Sequence, residues 1–171
     1  MPTPVFACGA ECGQFVDATG GVGQHIRTYG IAPTVETTTV RTGTRAINCK
    51  ATLGTSYFDT NSSRTSIRVA RCYLRFIILP TLTAPVYVDT ATILDGVYFQ
   101  ASDSKLYTGK GVLSLGTTGV SVTTGVWYRI DIRVNMSANP WIIDAQVDGS
   151  PLDQQSDARA ANTCSVVGGV S

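Results

Sequence analysis

From Tyr128 to Val134 the chain alternates without a break, with Tyr128, Ile130, Ile132 and Val134 on one side and Arg129, Asp131 and Arg133 on the other. Trp127 precedes the run on the polar side. A period of two belongs to a β-strand, and a helix would scatter these residues around its circumference. A strand with one apolar side needs a second layer to cover it. The chain is therefore expected to be an antiparallel β-sandwich.

The rest of the chain agrees. Pro4–Cys8 reads as a short first strand. The glycines between Gly9 and Gly30 make residues 9–33 mostly loop. Thr34–Val40 and Arg45–Ala51 read as a hairpin with Gly43 at its turn. Tyr57–Thr60 reads as an edge piece. Ser66–Leu79, closed by Pro80, is the longest apolar stretch and reads as a central strand. On it Ile67, Val69, Tyr73 and Ile77 share one face, and Ala70, Cys72, Leu74, Phe76 and Ile78 the other. Short strands are expected at Val86–Val88, Thr92–Leu94, Val97–Ala101, Lys105–Tyr107 and Val112–Leu115. Asp95-Gly96, Ser102–Ser104 and Gly109–Gly111 separate them as turns. Ile142–Val147 should turn back at Asp148-Gly149, a two-residue hairpin signal. No segment has convincing helical periodicity, although one turn at Asp157–Ala161 is allowed for.

Composition supports this reading. Only 15% of the residues are charged, against about 25% in typical globular proteins. Thr and Ser supply much of the polarity, and Thr favours strands. The 171 residues suit a single domain, 1–171. A formal net charge of +1 does not favour nucleic acid. The densest basic run, Arg64 to Arg75, divides between two strand faces. Arg71 and Arg75 share one and Arg68 takes the other, so the run is not expected to form one patch. No leader follows Met1 and no apolar run is long enough for a membrane helix, so cytoplasmic synthesis without membrane insertion is expected. The five cysteines, Cys8, Cys12, Cys49, Cys72 and Cys164, are expected to be mainly free thiols.

Several motifs together resemble the concanavalin A-like jelly rolls, the lectin, laminin-G-like and glucanase-type domains. Thr123–Asn135 followed by Asp144–Gly149 resembles their "G-x-W-Y-x-I-x-x-x-V" strand and "V-D-G" hairpin. Phe6–Gly13, Thr37–Ile47 and Ser102–Leu106 are similar to further segments of a branch found in virion proteins of tailed bacteriophages. The resemblance covers most of residues 5–149. It implies a jelly roll with little or no helix and a structural role on a virion surface, as capsid decoration or tail appendage. It also implies other virion proteins and further copies of the chain as partners. The alternative it implies is a lectin-like adhesin for surface glycans. The branch ends in a last strand carrying "V-Y-F-D-D", so that strand is expected to be short or missing here. The uncharged tail Val166, Val167 and Val170 could then pair with a neighbouring chain, or fold back as a short edge strand.

Catalytic chemistry finds no obvious seat. A retaining glycosidase needs two carboxyl groups about 5–5.5 Å apart. The nearest match is Asp144 with Asp148, and Asp131 stands between two arginines. Salt bridging or solvation accounts for all three. His25 is the only histidine, and Cys8 with Cys12 lacks a second pair of metal ligands. No enzyme activity, metal or cofactor is expected. For glycans the candidate aromatics are Trp141, which follows Asn139-Pro140, then Tyr107 and Tyr98. The competing reading has Trp141 capping one end of the core.

Overall fold

The computed structural model describes residues 26–30, 34–41, 46–48, 56–60, 67–90, 94–110, 114–135, 137–138, 140–157 and 166–170. They belong to two compact units, Met1–Ser62 with Gly169–Ser171, and Ser63–Gly168. The first unit contains β1 (Ile26–Gly30), β2 (Thr34–Glu36), β3 (Ala46–Asn48) and β4 (Ser56–Thr60). β1 pairs antiparallel with β4, and β2 with β3. The 34–51 hairpin is thus present in shortened form, while its Gly43 turn and the Pro4–Cys8 strand lie outside the described residues. β1 is a correction to the loop expected over residues 9–33. Ile-Arg-Thr-Tyr is strand-prone, and pairing with β4 satisfies its backbone in spite of the surrounding glycines.

The second unit is an all-β antiparallel sandwich. Its strands are β5 (Ile67–Arg75), β6 (Ala84–Thr90), β7 (Leu94–Gln100), β8 (Lys105–Lys110), β9 (Val120–Ser121), β10 (Trp127–Asn135), β11 (Trp141–Val147), β12 (Ser150–Pro151), β13 (Gln155–Asp157) and, up to Gly168, β14 (Val166–Val170). One sheet runs β14-β6-β7-β8-β9. The other runs β12-β11-β10-β5, with β13 also paired to β11.

The core lies between the sheets. Val97, Phe99 and Leu106 from one layer meet Ile130, Ile132, Val134, Ile143, Ala145 and Val147 from the other in one buried cluster. The Phe76 and Phe99 rings pack at 5.4 Å between centroids, inclined by 49°. β10 alternates as its sequence requires: Tyr128, Ile130, Ile132 and Val134 are buried, and Trp127, Arg129, Asp131 and Arg133 look outward, half-buried or exposed. The Asp148-Gly149 turn forms as expected, with φ of 52° and 86° and Val147 paired to Ser150. Ser102–Ser104 is likewise a turn, with Ser104 at φ 56° and its N–H on the Gln100 carbonyl at 3.0 Å.

Several expectations change. Asp95-Gly96 is no turn but lies within β7, where Asp95 pairs with Lys110 and Gly96 with Gly109. Two neighbours supply ladder partners, so a turn-prone dipeptide is held extended. β8 likewise continues through Gly109 to Lys110, and Leu115 contributes only an isolated bridge to Gly109. β5 ends at Arg75 and, among the described residues, pairs only with β10, so it closes its sheet rather than lying in the middle. Cys72, Leu74 and Phe76 are on the core side, whereas Ile67, Val69 and Tyr73 are outside at 49%, 69% and 40% exposure. Beyond the strand, Ile77 and Ile78 are also exposed. The tail folds back onto this sheet, one of the two outcomes expected for it. Val166 and Val167 pair with Asp89 and Val88 of β6, so the last strand, expected short or missing, is present as the five-residue β14. Val170 belongs to the same strand. The pairing occupies one backbone edge of Val166 and Val167 within the chain. Asp157 is in β13 rather than a helical turn, and the residues after it lie outside the described set.

Candidate functional site

The three aromatics expected to meet a glycan are all buried. Trp141 is 4% exposed, Tyr107 6% and Tyr98 0%. Trp141 starts β11 with its ring on the core side, which fulfils the core-capping reading. Tyr98 lies in β7, where Gly96 to Phe99 are buried on both faces. Tyr107 is covered by Gly119: a Cβ there would lie 2.4 Å from Tyr107 Cζ. Its hydroxyl reaches out to Asp103 as a hydrogen-bond donor. That bond first, then desolvation and the nearby carboxylate charge, push the phenol up to about 12. None of the three rings is available as a stacking platform.

The outward face of β5, β10 and β11 carries a different set. In register across the strands, Arg71 lies opposite Asp131, and Asp131 opposite Gln146. The next row is Val69, Arg133 and Asp144. In the other direction Tyr73 faces Arg129, and Arg75 faces Trp127. Trp127 and Tyr73 are therefore the aromatics on this surface, half-buried and exposed respectively. The sequence pattern had put Trp127 on the polar side of its strand. Its neighbour Tyr73 was hidden by an apolar run that conceals which face is outside.

A groove of about 440 Å³ opens here. Val69 and Arg71 form one wall and Pro151 and Leu152 the other, with Asp131, Arg133, Asp144 and Gln146 along the floor. Its volume is within the ~300–1,000 Å³ range of small-ligand sites. Asp131 is shared by two arginines. Arg71 Nε donates a hydrogen bond to Asp131 Oδ1, and Arg129 Nε lies 2.9 Å from Oδ2. The second contact has ion-pair distance without hydrogen-bond alignment, and Arg129 Nε is buried with no acceptor in line. Arg133 Nη1 donates to Asp144 Oδ2 at 3.1 Å, and Gln154 Nε2 to Asp144 Oδ1 at 2.6 Å. The bond to Asp131, with its charge, raises the Arg71 pKa further above its already high ordinary value.

The acids considered as a catalytic pair each have fixed partners. Asp144 is held by Arg133 and Gln154, and Asp148 Oδ1 accepts the Arg129 backbone N–H at 2.8 Å in the hairpin. Asp131 and Asp144 are diagonal neighbours on β10 and β11, a spacing of about 7–8 Å. Guanidinium groups bind both. Beneath this face, Cys72 packs against the core, and burial, aided by Asp131, pushes its thiol up to about 12. Cys8, Cys12, Cys49, Cys164 and His25 lie outside the described residues. Among the described residues no three His, Cys, Asp or Glu side chains converge as metal ligands do.

One strand face thus combines paired carboxylates, forked guanidiniums, an amide and two aromatics around a shallow groove, in an antiparallel sandwich. No protein-family model matches the sequence, and no curated protein matches it. Among solved structures, the carbohydrate-binding module CBM66 from Bacillus subtilis matches with a TM-score of 0.42 and 11% identity, over 68% of this chain and 80% of that one.

Proposed function

We propose that this chain is a non-catalytic carbohydrate-binding module whose ligand lies across the outward face of β5, β10 and β11. The observation that carries the reading is the groove itself. Asp131, Asp144 and Gln146 offer acceptors, and Arg71, Arg133 and Gln146 offer donors, all lining one shallow groove. Sugar hydroxyls donate and accept at once, so they suit mixed arrays of this kind. Tyr73 and Trp127 extend the same face with apolar ring surface for the C–H side of a sugar. From the Val69 row to the Arg75 row is about 20 Å at ~3.3 Å per residue, enough for an oligosaccharide.

The engagement of both acids supports binding without turnover. Glycoside hydrolysis needs one carboxyl group that holds a proton for the leaving oxygen. Asp131 sits between two guanidiniums and Asp144 between a guanidinium and an amide, which suits them to recognition. The motif resemblance supports a virion surface as the setting, with the module displayed in several copies.

The test is an oligosaccharide array probed with the wild-type chain and with Asp144→Ala and Gln146→Ala. Binding to a defined set of glycans, weakened in both variants while their melting temperatures hold, is the expected result. Failure to bind any glycan, or binding indifferent to both changes, would refute the assignment. Release of reducing sugar from a bound glycan, abolished by Asp131→Asn, would refute the non-catalytic part alone.

A further inference from the structure

The formal charge of the whole chain is only +1. The outward face of β5 and β10 nevertheless gathers four guanidiniums, Arg71, Arg75, Arg129 and Arg133. Among the described residues, the carboxylates on the same face are Asp131 and Asp144. With Asp148 at the hairpin included, cations still outnumber anions, and that carboxylate is turned to the Arg129 backbone. The arginine side chains are also reachable, with Arg71 58%, Arg133 46% and Arg129 36% exposed. Arg75 donates its Nε to the Gly125 carbonyl at 2.9 Å and, among the described residues, has no carboxylate partner. It lies opposite Trp127, so a cation and a ring stand side by side at the far end of the face.

We infer that this face takes acidic saccharides, those bearing carboxylate or sulfate groups, an inference that rests on the carbohydrate reading above. Arg71 and Arg133 line the groove from neighbouring strands, and each presents a planar fork matched to a two-oxygen anion. An anionic group between them relieves the local excess of positive charge, which a neutral sugar leaves in place. Asp131 and Asp144 fix the guanidinium planes from below and leave the remaining N–H groups to the ligand. Arg75 and Trp127 then hold a second acidic sugar further along the chain, by charge and by ring contact.

The experiment is calorimetric titration of the wild-type chain with oligogalacturonate and a sulfated dextran, against neutral dextran and cellohexaose. Polyglutamate and a single-stranded oligonucleotide serve as non-sugar polyanions. The acidic saccharides should bind about tenfold or more tightly than the neutral ones, as expected for one or two charge-assisted hydrogen bonds. The preference should shrink as salt rises. Arg133→Gln should remove most of it, and Arg75→Gln part of it. Arg133→Lys, which keeps the charge but loses the fork, should fall between and guards against loss of fold. If neutral glycans bind equally well and Gln146→Ala weakens them, the carbohydrate reading stands and this inference falls. If no saccharide binds, both fall. Equal binding of polyglutamate or the oligonucleotide overturns the inference, because the face is then a general polyanion surface.

Discussion

Ile130 and Val69 lie in adjacent strands of one sheet but on its opposite sides, and replacing each by alanine tests the face assignment that positions the groove. Ile130 is 0% exposed, flanked in register by Cys72 and Val147 and enclosed in the core cluster, whereas Val69 is 69% exposed on the groove wall. Ile130→Ala removes buried carbon and leaves a cavity among residues already packed, a change that costs about 2–5 kcal/mol. Val69→Ala removes atoms that already meet water and should cost no more than ~0.5 kcal/mol. For unfolding of the whole 171-residue chain each kcal/mol moves the melting temperature by about 2–4 °C, so Ile130→Ala should melt about 4–20 °C lower and Val69→Ala within ~2 °C of wild type. Scanning calorimetry with a parallel urea titration measures both. Equal losses, or a larger loss at Val69, would place the groove residues on the wrong side of the sheet and remove the basis of the site.

Two further outcomes test the loop that covers the other sheet. Gly119→Ala brings a Cβ to 2.4 Å from Tyr107 Cζ, so ring or loop must move; a loss of about 1–3 kcal/mol is expected from overpacking, and an unchanged melting temperature would contradict the close approach. Asp153 is held well below the usual carboxylate range by hydrogen bonds from Thr118, then Thr117. A group whose pKa is depressed on folding contributes stability above its unfolded value and loses it as pH falls below about 4. Acidification below that point should therefore loosen residues 114–119 in the wild type, whereas Asp153→Asn should be weaker at neutral pH and flatter in acid. Identical acid limbs in hydrogen exchange of the Thr117 and Thr118 amides would refute this.

How far the molecule was legible follows the range of the forces involved. Alternation in Tyr128–Val134 is local, so it placed β10 and its inward face correctly. The Asp148-Gly149 hairpin is local in the same way. Asp95-Gly96 failed because turn propensity is a weak preference, and two ladder neighbours outweigh it when β6 and β8 flank the strand. Ser66–Leu79 failed in part because an unbroken apolar run carries no sign of which face is covered. Ile67 and Val69 are as apolar as the core yet lie outside. The tail was undecidable from local pattern, since Val-Val-Gly-Gly-Val suits a strand folded back on its own chain and one added to a neighbour equally, and only the presence of β6 as a partner distinguishes them.

The candidate site was less legible because no strand carries it alone. Taken singly, β5 offers Arg71 and Arg75 on one face, too few for a patch, and β10 offers Arg129, Asp131 and Arg133, which look self-neutralising. Register joins them. Arg71 takes one oxygen of Asp131 while Arg129 approaches the other, and Arg133 turns across to Asp144. The result is a face where each acid is held by at least one arginine and the cations remain in excess. The same register explains the misplaced aromatics. Trp141 follows a Pro and looks like a loop residue, but pairing of β11 with β10 and β13 draws it into the sheet and turns its ring to the core. Trp127 opens β10 one position out of phase with Tyr128 and so must point the other way. The aromatic surface of the groove face was thus already implied by the strand's alternation. Recognising it required only the knowledge that Arg75 and Tyr73 lie beside it.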